Sequence, residues 1–293
     1  MKPRALVLAA LVSAPAWLAA QTTVDQKHPA APDGIVSIEN MSGSVKVTGW
    51  DKAEVHVKGT VGNGGELSLT GGGGKRTHVE IESDHNPMGV KSDLEVFVPQ
   101  ASSVEIEGFN ATISVAGVTG AVTAETVNGS ITQSGASKQV ELQSVNGDIQ
   151  VAKASGRIQA EAVNGSVVLR DASGDVEAST VNGKLQVIGG SFERVQIEAV
   201  AGPVRFEAAL ASRGTLSIET VSGPVELLLP ASVSADFQLS SFSGRITNEL
   251  GPAAEKRSKW TPQTELSFST GSGGARISVE TLSGAIDIRK RLP

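Results

Sequence analysis

The side chains best placed to do chemistry form a column of carboxylates. Glu125, Glu161, Glu198, Glu219 and Glu280, with Gln143, Ser179 and Ser240 among them, each stand two residues before a recurring apolar residue. If they recur in successive coils of a stacked sheet, adjacent members lie about 5 Å apart and alternate members about 9 to 10 Å apart. The longer distance is at the outer edge of the separation used by inverting glycosidases, so Glu125 and Glu161 are the pair that glycan cleavage would use. An exposed carboxylate has no means of raising its pKa to act as an acid, and neutral Gln143 separates these two. The column therefore reads first as a solvated acidic face, and second as a stripe for cations or a basic partner.

Other chemistry is weaker. Gly71 to Gly74 followed by Lys75 imitates a phosphate loop, but Leu69 stands where the first glycine belongs and Arg76 replaces the hydroxyl residue. His28, His56, His78 and His85 lack metal-ligand spacing, although His56 and His78 could meet across neighbouring strands. Asp148 and Asp175 follow glycines without the Gly-Gly-x-Gly-x-Asp turn of a calcium-loaded coil. No serine sits in a nucleophile elbow. No catalytic residue, metal site or cofactor is expected.

The elements carrying these residues announce themselves by repetition. Val127-Asn128-Gly129, Val145-Asn146-Gly147, Val163-Asn164-Gly165 and Val181-Asn182-Gly183 recur every 18 residues. The series continues as Val200-Ala201-Gly202, Val221-Ser222-Gly223, Phe242-Ser243-Gly244 and Leu282-Ser283-Gly284. Ala154-Ser155-Gly156 and Ala172-Ser173-Gly174 fall halfway between, so two units of about nine residues make one coil.

Within each unit the second position is almost always β-branched (Val122, Ile131, Val140, Ile149, Ile158, Val167, Val176, Leu185) and the fourth alternates small and large (Ala124, Leu142, Val151, Ala160, Leu169, Ala178, Val187). The positions between are mostly polar. This period of two predicts strands with an apolar inner face. The seventh-position valines are expected to face inward as well, which requires a bend near the fifth and sixth positions. Asn128-Gly129, Asn146-Gly147, Asn164-Gly165 and Asn182-Gly183 are expected as structural turns, because Asn and Gly tolerate positive φ. Stacked asparagines would form an amide ladder. The fold class is thus all-β: a parallel β-helix or β-solenoid of about 18-residue coils, preceded by a β-meander.

The flanks complete the division. Residues 1–20 read as a signal peptide: Lys2 and Arg4, an apolar run from Ala5 to Val12, and a small-residue exit. Residues 21–33 read as a linker, 34–110 as an antiparallel meander leading into the solenoid, 111–250 as the repeats, and 251–293 as a polar insertion with a last repeat pair. There is no cysteine, so neither a disulfide framework nor a lipoprotein anchor is available. Without Lys2 and Arg4, 23 of the 25 basic residues remain against 31 acidic, a net charge of −8. That balance argues against nucleic acid and anionic lipid as partners, and no segment after the signal peptide is apolar enough to span a membrane.

Ile35 to Thr60, with Asn40-Met41-Ser42-Gly43-Ser44-Val45, Gly49-Trp50-Asp51 and Glu54-Val55-His56-Val57, resembles the bacterial "putative adhesin" β-solenoid domains of unknown function. Leu94 to Pro99 and Gly271 to Gly284 are similar too. The resemblance implies a right-handed parallel β-helix-like fold at the cell envelope, and no catalytic or binding residue.

The expected role is a non-enzymatic exported scaffold, adhesin-like, in the periplasm, secreted or on the cell surface, binding a protein or polysaccharide. Its candidate binding residues are the acidic column Glu125, Glu161, Glu198 and Glu219. The irregular coils at 192–214 are a second place to look, because loops inserted into a rigid scaffold carry recognition. The alternatives are a polysaccharide lyase or hydrolase on the same scaffold, and a periplasmic stress or signalling accessory protein.

Overall fold

The computed structural model describes residues 21–71, 75–83, 89–258 and 261–291; the expected signal peptide and His85 lie outside them. Every element is a strand. The N-terminal end is built from β1 (Thr22–Pro29), β2 (Ile35–Trp50), β3 (Glu54–Val61), β4 (Gly65–Gly71), β5 (Arg76–Ser83), β6 (Ser92–Pro99) and β7 (Ser103–Ala116). The regular coils follow as β8 (Ala121–Thr126), β9 (Ile131–Ser134), β10 (Gln139–Ser144), β11 (Ile149–Ala152), β12 (Ser155–Asn164), β13 (Val167–Arg170) and β14 (Ser173–Asn182).

These strands stack in two parallel ladders. One runs β7, β8, β10, β12, β14 and the other β7, β9, β11, β13, each step shifting the register by 18 residues in the regular coils, as in Val122↔Val140↔Ile158 and Ile131↔Ile149↔Val167. The β-branched second and the fourth positions face between the ladders and are buried. The two long strands β15 (Leu185–Ala201) and β16 (Val204–Ser222) continue both ladders, bending from one to the other.

The end coils stack out of chain order. After β17 (Val225–Pro230) come β18 (Ala235–Ser241), β19 (Ile246–Asn248), β20 (Glu255–Ser258), β21 (Thr261–Thr270), β22 (Ala275–Ser283) and β23 (Ile286–Arg291). The last pair slips between earlier coils: β22 lies between β16 and β18, and β23 between β17 and β19. An ion-pair network runs across β16, β17 and β23 beside these ladder pairings. Arg205 donates to Glu207 at 2.7 Å and Glu226 at 2.9 Å, and Arg289 reaches Glu226 at 3.2 Å. The hydrogen bond to Glu207 is the main cause of the raised pKa of Arg205.

The N-terminal end is arranged likewise, with β2 between β5 and β6 on one side and β7 on the other, all parallel. The antiparallel pairs of the expected meander are β1–β3, β3–β6 and β4–β5; β2 departs from that reading and is already a solenoid coil. Antiparallel β21 and β20 cover the β18 edge at the other end. Such covering blunts open strand edges that would otherwise pair with other chains.

Residues 21–33 are not a linker. All eight residues of β1 are in register with β3, Val24 is buried, and Asp25 hydrogen-bonds His56 at 2.6 Å. Prolines and charges suggested a linker, but an edge strand tolerates both on its solvent side.

Candidate functional site

The corner after β8, β10, β12 and β14 is where the structure corrects the sequence reading. Strand parity does not break at the fifth position. The sixth residue points inward instead, and Thr126, Ser144, Ala162, Thr180, Ala199, Thr220, Ser241 and Thr281 are all buried. Small size and a hydroxyl make this possible: Thr126 donates to Ala111 O, Ser144 to Gly129 O and Thr180 to Gly165 O, at 2.9 to 3.1 Å. A buried hydroxyl with such a partner escapes most of its desolvation cost.

The seventh residue must then face out. Val145, Val163, Val181, Val200, Val221, Leu282 and Phe242 are 39 to 54% exposed, and they are all of the exposed large hydrophobic residues among those described. Register extends the row through half-buried Val127, Phe109 and Met41. The order along the stack is Met41, Phe109, Val127, Val145, Val163, Val181, Val200, Val221, Leu282, Phe242. Ten rungs at about 4.8 Å make a continuous apolar ridge about 43 Å long.

The asparagines beside the ridge form an amide ladder. Asn128 donates to Asn110, Asn146 to Asn128, Asn164 to Asn146 and Asn182 to Asn164, at 2.8 to 3.0 Å. Gly129, Gly147, Gly165 and Gly183 do not have positive φ. They are glycine for space: a Cβ at Gly147 would collide with the carbonyl oxygen of Gly129, and the others meet the coil before them in the same way. Positive φ occurs instead at the half-period corner, at Gly156 (97°) and Gly174 (102°), and at Gly202 and Gly223, each followed by proline.

On the other side of the buried sixth position runs the acidic column. Register orders it as Glu80, Glu39, Glu107, Glu125, Gln143, Glu161, Ser179, Glu198, Glu219, Glu280, Ser240. Glu125, Glu198 and Glu219 are exposed and Glu161 is half-buried. Glu161 accepts a hydrogen bond from Gln159 at 2.8 Å, and Glu198 from Gln196 at 2.9 Å. No ion pair among the described residues reaches a glutamate of this column, whereas the neighbouring columns are paired, as in Arg157–Glu177 and Arg194–Asp175.

A shallow groove lies between column and ridge. Its C-terminal part holds about 600 Å³ between Glu198, Glu219 and Glu280 on one wall and Val181 to Phe242 on the other. Its N-terminal part, about 460 Å³, lies between Glu107, Glu125 and Glu161 and the stretch from Met41 to Val181. Apolar contact on one wall and unneutralised negative charge on the other suit an elongated ligand.

The remaining sequence candidates do not converge. His56 bonds Asp25, whose pKa is lowered chiefly by that hydrogen bond, while His78 stands opposite Thr70 and Ser37. Among the described residues no group of three or more His, Asp or Glu could hold a metal ion. In the irregular coils at 192–214, Phe192 is buried and packs on Phe206 at 6.4 Å between centroids, whereas Leu210, Ala211 and Ser212 line a separate surface cavity of about 360 Å³. Exposed valine imitates core valine in sequence; the signal for the ridge is the odd, three-residue gap between the fourth-position and seventh-position apolar columns, as from Leu142 to Val145.

The family model described as Toastrack DUF4097 matches residues 32–289, and the chain belongs to that family. A solved structure described as a "putative adhesin" from Parabacteroides distasonis ATCC 8503 is similar with a TM-score of 0.52 at 8% identity, covering 92% of this chain and 98% of that one. Another so described, from Bacteroides fragilis NCTC 9343, gives 0.41 at 10% identity over 92% and 99%. No curated protein matches the sequence significantly.

Proposed function

We propose that this Toastrack family member is an exported, non-enzymatic binding scaffold that takes an elongated macromolecular partner along its apolar ridge. The observation that carries the reading is the ridge itself. Seven large apolar side chains stand exposed in one unbroken file, and none of comparable size is exposed elsewhere among the described residues. Contiguous exposed apolar surface of this kind marks interaction sites, whereas isolated exposed hydrophobes do not. The solenoid supplies rigidity, so the file keeps its spacing without a partner. The signal-peptide pattern of residues 1–20 supports export, and the likeness to a solved structure described as a "putative adhesin" supports a place at the cell surface.

The test uses the mature protein as bait for envelope proteins and for a glycan array, beside a Val145→Thr/Val163→Thr/Val181→Thr variant. Threonine keeps strand propensity and nearly the same shape while removing apolar contact. Loss of capture with an unchanged urea midpoint supports the proposal. Undiminished capture by the variant contradicts it.

A further inference from the structure

Resting on that reading of the ridge, we infer that the ligand is a basic amphipathic helix of a partner protein, its apolar seam on the valines and its lysines or arginines over the acidic column. Three observations converge on this chemistry.

The first is charge. Glu107, Glu125, Glu161, Glu198, Glu219 and Glu280 share one side of the groove and have no ion-pair partner among the described residues, although cations elsewhere on the surface are paired with neighbouring acids. Adjacent glutamates such as Glu198, Glu219 and Glu280 repel one another at about 5 Å. A row of partner cations relieves that repulsion. An acidic or neutral partner does not, and an acidic glycan adds to it.

The second is the absence of free backbone. At the corner the main chain is already bonded from coil to coil, Asn146 N to Val127 O at 2.8 Å and Asn164 N to Val145 O at 2.7 Å. An added strand would find no donors or acceptors there. A helix brings its own hydrogen bonds and needs only side-chain contact.

The third is spacing. The ridge repeats about every 4.8 Å and a helix every 5.4 Å, so a helix laid along it drifts about 0.6 Å per turn and stays in contact for several turns. Residues at i, i+3, i+4 and i+7 form a seam narrow enough for a single-file ridge, with cations on its flank.

The probes are three synthetic peptides of about 20 residues. One carries leucine at helical spacing flanked by lysine, the second is the same with glutamate for lysine, and the third is a scramble of the first. Binding to the mature protein is followed by fluorescence anisotropy and helix formation by circular dichroism. The leucine–lysine helix should bind and gain helicity while the other two do not. Its Kd should rise about tenfold or more in the triple valine variant and in Glu161→Gln/Glu198→Gln/Glu219→Gln, the second loss shrinking as salt rises. A Val163→Thr single variant keeps the test available should the triple one fold poorly.

Failure of the leucine–lysine helix to bind, equal binding of the scramble or of the glutamate peptide, or unchanged Kd in both variants overturns the inference. If the ridge variant loses its envelope or glycan ligand while wild type ignores the helix, the binding-scaffold reading stands and only the helix falls. If the variant loses nothing, both fall.

Discussion

Asn164 donates its Nδ2 hydrogen to Oδ1 of Asn146 at 3.0 Å while accepting one from Asn182 at the same distance. The amide thus joins three successive coils. Asn164→Ala breaks two rungs at an exposed site, and the expected loss is about 1 kcal/mol. A lower urea midpoint with unchanged slope would report it; a midpoint equal to wild type would show that water replaces the ladder.

Gly147→Ala should cost more. The new methyl meets the carbonyl oxygen of Gly129, part of a backbone already fixed by coil stacking. Overpacking against main chain predicts a loss of about 2 to 3 kcal/mol, measured by thermal or urea unfolding. A fall no larger than at Asn164 would mean the coils separate more easily than the stacking implies.

Thr180 and Thr220 occupy equivalent buried positions with different partners. Thr180 donates to Gly165 O at 2.9 Å, whereas Thr220 Oγ1 has no partner and faces a coil whose Gly202 has taken φ of 129°. Thr180→Val should therefore destabilise by about 1 kcal/mol and Thr220→Val be neutral or stabilising. Equal losses at both sites would refute the hydrogen-bond account of the sixth column.

Acid should loosen β1. The hydrogen bond from His56 holds the Asp25 carboxyl below its ordinary value of 3.8. A lowered folded-state pKa contributes stability that is complete above the ordinary value and is lost as pH falls through the lowered one. Wild type should thus show a stability decline below about pH 4 that is shallower in Asp25→Asn, together with earlier proteolysis in β1. Identical acid profiles would leave the pair without a role in holding the strand.

The coil period was legible because three columns agreed: β-branched residues at the second position, alternating sizes at the fourth, and glycine at the ninth. The faces at the corner were not. Valine at the seventh position carries the signature of a core residue, and the structure exposes it because Thr126, Ser144 and Thr180 can bury hydroxyls against carbonyl oxygens of the coil before. At Gly129 and its successors the physical cause of the glycine is close approach of the coil before, not the positive φ that the sequence suggests. Stacking order was also hidden. Leu282 follows Phe242 in sequence yet sits between Val221 and Phe242, since local periodicity fixes a coil's shape and not its neighbours. Likewise Glu39, Glu80 and Glu107 join the acidic column only through the register of β2, β5 and β7.

On the proposed reading, ligands meet this protein along the ridge. A photo-cross-linking residue placed at Val163, on the ridge, and separately at exposed Gln150, on the other ladder, tests it in the producing cell. A discrete adduct is expected from position 163 and none from position 150. An adduct from position 150 with none from 163 would contradict it.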